Sequence, residues 1–320
     1  MKQFRTVFWI LILVSEFVFG QFDARLSQYM FNPSSFNPAA VGQSGMIDVT
    51  GQHRLQWIGM PNGGQTTFFN LNSPFKLGGR TLGVGLNFMN DRVGLFVNQG
   101  VHLQNAFGVK VGKGTLNIGT QLGFLSIGFR GDSARGPKVP IGDYHDISGD
   151  NAIPKTALEG FGFDASAGLW YILKDIYAGI SYTHLTQPVI SWSEEFYYTP
   201  SSSLYFTGGF SKSMNNPKLV LKPSFLLQTD FNLFQLDISS IMQYNNQYWG
   251  GLSYRLGDAV VFIAGINIMN GLSVGYAFDM PVSQMLGATW GSHEVMLSYQ
   301  IEVNTGSGGR RKNYKSIRIL

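Results

Sequence analysis

From Met46 onward, apolar and polar residues alternate with a period of two, and the last example is the clearest. In HEVMLSYQIEV, Val295, Leu297, Tyr299, Ile301 and Val303 fall on one face, and Glu294, Met296, Ser298, Gln300 and Glu302 on the other. In RTLGVGLNF, Leu82, Val84, Leu86 and Phe88 alternate with Thr81, Gly83, Gly85 and Asn87. In GLSVGYAFD, Leu272, Val274, Tyr276 and Phe278 alternate with Ser273, Gly275, Ala277 and Asp279. The pattern predicts fourteen strands, at 46–59, 65–74, 80–90, 96–111, 115–130, 160–173, 176–185, 203–213, 218–228, 234–244, 247–256, 259–269, 272–280 and 293–303.

The connections differ by parity. Those after even-numbered strands are short and turn-like: FKLGG (75–79), GKG (112–114), Lys174-Asp175, NNP (215–217), Asn245-Asn246 and Asn270-Gly271. The long ones, 131–159, 186–202 and 281–292, follow odd-numbered strands, although Gly257-Asp258 is a tight exception. Tight turns on one rim and long loops on the other describe a transmembrane β-barrel, with the short turns periplasmic and the even strand count placing both chain ends there.

A water-soluble sandwich could carry the same alternation with its apolar face inward. Composition argues against it. Charged residues make up 13% of the chain, against roughly 25% in soluble domains. Glycine, at 40 of 320 residues, is well above the usual ~7%. In lipid every backbone polar group needs a partner, which a closed barrel provides and an open sheet does not. Trp57, Phe75, Phe129, Tyr171, Trp192, Tyr248, Trp249 and Trp290 fall near strand ends and are expected in the aromatic girdles.

The start of the chain, MKQFRTVFWILILVSEFVFG, has Lys2 and Arg5 ahead of the apolar run Val7 to Val14. It is expected to be a secretory signal peptide, residues 1–20, cut before Gln21. No later stretch offers the ~18 consecutive apolar residues of a spanning helix. With no cysteine there is neither a disulfide nor a lipidated anchor. Of the net charge of +4, the leader holds +1 and the tail from Arg310 +5, which leaves Gln21 to Gly309 at −2. A nucleic-acid groove needs clustered Lys and Arg, so no nucleic acid is expected as partner. No cofactor is implied.

Between leader and first strand lies FNPSSFNPAAVG. Proline lacks an N–H and pushes the preceding residue toward extended geometry, so Asn32-Pro33 and Asn37-Pro38 suit neither helix nor central strand. The expectation is a plug segment, 21–45, that folds back into the periplasmic mouth, its Asn side chains bonding backbone in tight turns. The barrel is expected over 46–303 and a basic periplasmic tail over 304–320. Arg54, Asp237 and Arg255 take lumenal parity on their strands, since charge facing lipid is costly. In the loop 186–202, Trp192, Phe196, Tyr197 and Tyr198 are candidate contacts for a protein cargo, as exposed aromatics that could anchor a partner.

Catalytic and metal readings fare poorly. Asp143, Tyr144, His145 and Asp146 could hold a hard metal, but nothing fixes a ligand count, and a solvated loop is the plain reading. Glu194 and Glu195 are adjacent and point apart, so they make no acid/base pair. His102, His184 and the scattered serines make no nucleophile site: the one G-x-S-x-G match, Gly271 to Gly275, runs into an alternating strand rather than a strained strand-to-helix elbow, and no base and orienting residue can be assigned to any serine. No enzyme is expected.

Taken together, QYMFNPSSFNPAAVG (28–42), HRLQWIG (53–59), YAGISYTHLTQP (177–188), YWGGLSYRLGDAV (248–260) and LSVGYAFD (272–279) resemble the PorP/SprF family of Bacteroidetes outer-membrane proteins. The resemblance implies a non-enzymatic component of the type IX secretion system, which exports large surface proteins and, in gliding bacteria, adhesins. It implies partners among type IX components on the periplasmic side, a secreted or surface-anchored cargo protein, and outer-membrane lipid. An alternative is a transporter of hydrophobic small molecules. The FadL class also combines a fourteen-stranded barrel with an N-terminal plug, whose Asn-Pro-Ala motif is similar to Asn37, Pro38 and Ala39.

Overall fold

The computed structural model describes residues 23–77, 80–133, 156–193, 196–269 and 271–302. The expected leader, the basic tail, residues 143–146 and the Glu194-Glu195 pair lie outside the described residues.

Fourteen antiparallel strands close into one barrel. They are β1 (Met46–Leu55), β2 (Gln65–Leu77), β3 (Arg80–Val93), β4 (Phe96–Val111), β5 (Gly114–Arg130), β6 (Ala157–Leu173) and β7 (Ile176–Thr183). There follow β8 (Ser203–Phe210, continued by Lys212–Ser213), β9 (Leu219–Thr229), β10 (Phe234–Tyr244), β11 (Tyr248–Arg255), β12 (Ala259–Met269), β13 (Leu272–Pro281) and β14 (Ser292–Glu302). Each pairs with its neighbours in sequence, and β1 meets β14 in continuous register from Met46↔Glu302 to Leu55↔His293. That last ladder removes both edges, which is what makes a sheet tolerable in hydrocarbon.

The strands stand where the alternation put them, with ends shifted by up to four residues: β3 runs on to Val93, β6 begins at Ala157 and β7 stops at Thr183. β1 stops at Leu55 because Trp57 (φ 55°) and Gly59 (φ 93°) turn the chain over. The resulting loop is tied to the β13–β14 loop, where Ile58 N–H donates to Gly291 O at 2.9 Å and Trp290 N–H to Ile58 O at 2.8 Å. β2 runs on to Leu77, so only residues 78 and 79 separate it from β3. Asn245 (φ 53°) and Asn246 (φ 54°) both adopt the left-handed geometry of a type I′ hairpin turn, as their sequence signals.

Parity is resolved without ambiguity. Val295, Leu297, Tyr299 and Ile301 point outward at 43–53% exposure, while Glu294, Met296 and Ser298 are fully buried. The apolar face is outside and the polar face lines the lumen, the inverse of a soluble sandwich.

Residues 23–45 lie in that lumen and reach further than a plug at the periplasmic mouth. Near the short-turn rim, Gly42 N–H donates to Asn72 Oδ1 (3.3 Å); in the outer half, Ser27 meets Asp279 and Glu294; and at the long-loop end Asp23 meets Thr183 and His184. The reason is that the polar groups able to hold the segment are spread along the whole height of the wall. Its apolar side chains Tyr29, Phe31, Phe36 and Ala39 share one cluster with Trp170, Tyr205, Trp249, Ile263 and Met296. The principal core of this barrel is therefore the contact between the segment and the wall.

Candidate functional site

The segment descends through three single turns of 3₁₀ helix, Tyr29–Phe31, Pro33–Ser35 and Pro38–Ala40. Each proline opens a turn, where its missing N–H costs nothing. Asn37 behaves as expected: its Oδ1 accepts from Ala39 N–H at 2.9 Å. Its Nδ2 then donates to the wall, to Leu169 O (3.1 Å) and Ile180 O (3.2 Å). Asn32 departs from the expectation. Its side chain makes no backbone turn, and instead Nδ2 donates to Gln52 Oε1 (2.7 Å) and Asn70 Oδ1 (2.9 Å) on β1 and β2. Buried amides facing it on two strands offer better partners than its own backbone.

The wall has been thinned where the segment's backbone passes. A Cβ on Gly119 would stand 2.3 Å from Ala39 N, and one on Gly83 2.1 Å from Val41 O. Both glycines carry the small-residue parity that the sequence shows, and close backbone approach is the reason.

Arg54, Asp237 and Arg255 all face the lumen, fully buried, and belong to a single cluster. Arg255 Nε donates to Asp237 Oδ1 at 2.8 Å and its Nη1 to Asp279 Oδ2 at 2.9 Å. Arg54 Nη2 donates to the same Asp279 oxygen at 2.6 Å, with Glu294 3.7 Å from Nη1. Two guanidiniums thus face four carboxylates, since Asp258 at the rim also lies 3.7 Å from Arg255 Nη1. The surplus is met by the segment: Glu294 accepts from the backbone N–H of Ser27 (2.6 Å) and of Gln28 (3.0 Å), and Ser27 Oγ donates to Asp279 at 2.7 Å. Buried charges need such pairing to be tolerated.

A second polar chain, not anticipated as a unit, holds the start of the segment. His102 Nε2 lies 3.1 Å from Asp164 Oδ2, His184 Nδ1 3.0 Å from that oxygen, and His184 Nε2 2.9 Å from Asp23 Oδ1. Asp23 Oδ2 also accepts from Tyr205 OH (2.8 Å) and Thr183 Oγ1 (3.0 Å). Burial alone would push the His184 imidazolium down, but carboxylates at both ring nitrogens outweigh it and hold the group up at about 10. Burial likewise pushes Asp23 up, and His184, Tyr205 and Thr183 together bring it below the ordinary carboxylate value. The parity that exposed Glu294 and Asp279 as lumenal applies equally to Asp164, which shares a face with Gly160 and Gly162; that charge among small residues was the available signal. No periodicity marks Asp23, which lies outside the expected strands, and His184, expected inside the strand 176–185, falls just beyond β7, which ends at Thr183.

The outer-loop aromatics do not act as one exposed set. Tyr197 is 70% exposed. Trp192 and Tyr198, by contrast, are half-buried and turn onto Phe96 and Phe129, with ring centroids 6.0–6.4 Å apart, and Trp192 Nε1 donates to Ile127 O at 2.7 Å. Phe196 is half-buried, its carbonyl accepting from Trp192 N–H at 2.8 Å in the short ladder of Ile190–Ser191 with Tyr197–Tyr198. The girdle expectation is corrected at three positions: Trp249 is buried in the lumen against Phe31 (5.6 Å), and Phe129 and Trp192 belong to the inward cluster. Phe75, Tyr248 and Trp290 do face outward. Among the described residues no group of three or more acidic or histidine side chains is placed to hold a metal ion.

Two cavities flank Asp23. One, of about 70 Å³, lies beside the segment and is lined in part by His102, Asp164, Ser166 and Gln228. The other, of about 30 Å³, lies toward the outer hairpin and is lined in part by Asp91, Asn98, Ile127 and Tyr198. Asp23, Ala24, Met89 and His184 line both.

No curated protein matches the sequence. Among solved structures, the chain is similar to Omp33 of Acinetobacter baumannii, at 7% identity and TM-score 0.46 over 82% of this chain and 100% of that one. It is similar to the toluene transporter TbuX of Ralstonia pickettii at 13% identity and TM-score 0.47, over 85% and 92% of the two chains. For the monoaromatic hydrocarbon channel CymD the values are 10% and 0.47, over 87% and 93%. Residues 18–299 match the family described as type IX secretion system membrane protein PorP/SprF. With nearly the whole barrel inside that match, the chain belongs to the PorP/SprF family of type IX secretion membrane proteins and resides in the outer membrane.

Proposed function

We propose that the protein is a non-enzymatic scaffold of the secretion machinery, which supports the export or surface attachment of cargo such as adhesins or other surface proteins. Its periplasmic rim meets the export complex and its outer loops handle the cargo. One observation carries the scaffold reading over a conduit: the lumen is occupied by the protein's own segment, and the cavities that the described residues enclose beside Asp23 are of about 70 and 30 Å³. At ~10–15 Å³ per water that is room for a few waters, far less than an extended polypeptide needs.

The test is a deletion strain compared with wild type for its secreted and surface-exposed proteins. Loss of specific surface proteins, or their accumulation in the medium or periplasm, supports the proposal. An unchanged secretome with lost growth on fatty acids or aromatic hydrocarbons would overturn it in favour of transport.

A further inference from the structure

Along the strap formed by residues 23–45, the two polar attachments in the outer half differ in kind. The inner one, at Ser27 and Gln28, enters a cluster whose ion-paired side chains are dry: Arg54 and Asp279 are each 3% exposed. The outer one, at Asp23, is wetter, its carboxylate being 24% exposed and that of its partner imidazole, His184, 11%. Between them Ala24, Arg25 and Leu26 span the gap. Arg25 Nη1 donates to Gln235 Oε1 at 3.1 Å.

Asp23 and His184 also form part of the partition between the two cavities. Behind that partition, on the inner side, Asp164 and Ser166 are buried, and Asp164 Oδ1 and Ser166 Oγ have no hydrogen-bond partner among the described residues. Unpartnered buried acceptors are costly unless water reaches them, so the inner cavity is one that water should fill.

We propose that the Asp23–His184 contact is a releasable latch: with the strap still anchored at Ser27 and Gln28, its first residues swing away from the β6–β9 wall and join the two cavities into one water-filled passage in the outer half of the lumen. The hinge is at Ala24 and Arg25, between Asp23 and Leu26, the latter with its side chain buried in the apolar cluster. Release exchanges the Asp23 bonds to His184, Thr183 and Tyr205 for bonds to water, which the partly exposed Asp23 carboxylate can already reach, whereas release at Ser27 would strand Glu294 among buried charges. Opening therefore begins at Asp23.

The chain has no cysteine, so a single introduced thiol reports access cleanly. S166C places it in the inner cavity. The experiment measures its labelling by a small, charged methanethiosulfonate reagent added to intact cells, in otherwise wild-type protein and combined with D23N or with H184Q. Retention of the heat-modifiable band on gels confirms that each barrel is folded. The expected result is slow labelling in the parent and at least tenfold faster labelling with either latch substitution. Equal rates in parent and both variants, with the barrels intact, would overturn the latch. So would fast labelling in the parent, since the passage would then stand open with the contact in place.

Discussion

Arg255 and Asp237 sit directly opposite one another on β11 and β10, and Arg255 Nε donates to Asp237 Oδ1 at 2.8 Å inside the barrel. The same guanidinium reaches Asp279 on β13, which Arg54 of β1 also holds. The pair thus ties together strands on both sides of the β1–β14 seam. R255M is expected to cost about 3–5 kcal/mol, the range for breaking one side of a buried ion pair. The readout is a lower temperature for the gel-mobility shift of the detergent-solubilised barrel. Adding D237L to R255M should recover part of the loss, since an uncompensated carboxylate is then removed as well.

The thinned wall gives a sharper probe of the strap. G119A would bring a methyl group to 2.3 Å from Ala39 N, a clash with backbone that neither side can relieve by rotating a side chain. The strap is expected to lift from the β5 wall and single-barrel conductance in planar bilayers to rise severalfold, with insertion unaffected. G51A is the control: its Cβ meets nothing within 4 Å, and conductance should equal that of the parent.

The latch has a definite pH signature. His184 is held up at about 10 from an ordinary 6.5, so its contribution to the closed state is complete below 6.5 and is lost as pH rises through about 10. Asp23 is held below 3.8, so its contribution is complete above that value and is lost as pH falls further. The groups facing the contact are Asp164 and His102 on the inner side, Tyr205 and Arg25 beside it, and Asp91 and Tyr198 across the outer cavity. Conductance should be flat between about pH 5 and 6.5 and climb as pH is taken on through about 10. In H184Q it should be raised throughout and lack the alkaline step. A wild-type profile that is flat to pH 11 would show that His184 does not govern the opening.

How much of this was legible beforehand depended on periodicity. A strand with one face in lipid and one in a polar lumen must alternate, so strand positions, the inward parity of Arg54, Asp237 and Arg255, and the even count could all be read from residue order. Which charges meet could not, because partners such as Arg54 and Asp279 lie 225 positions apart and are joined only by barrel closure. Asn32 was legible as a helix and strand breaker but not as a wall contact, since its partners Gln52 and Asn70 are ordinary lumenal amides. Trp249 and Phe129 misled for a related reason: nearness to a strand end says nothing about which face a ring occupies, and lumenal parity put both inside, while Trp192 lies in the outer hairpin and folds back onto Phe129.

The outer hairpin supplies the last prediction, and the structure divides its aromatics into two roles. Trp192 and Tyr198 hold the hairpin against Phe96 and Phe129, so W192A should loosen the loop and expose Ile190, which is fully buried beneath it. Tyr197 holds nothing inside and presents its ring to the exterior, where an aromatic side chain can anchor a partner at little entropic cost. If the outer rim handles cargo, Y197A should leave the gel-mobility shift of the barrel unchanged yet reduce display of a surface protein at least severalfold. Shortening residues 190–199 should go further, releasing that protein into the medium or stranding it in the periplasm. The measurement is quantitative surface proteomics on both strains beside wild type, with a surface-accessible tag in the 131–159 loop to confirm orientation. Normal display in the shortened strain would place cargo handling elsewhere, and a tag protected in intact cells would invert the assignment of the two rims.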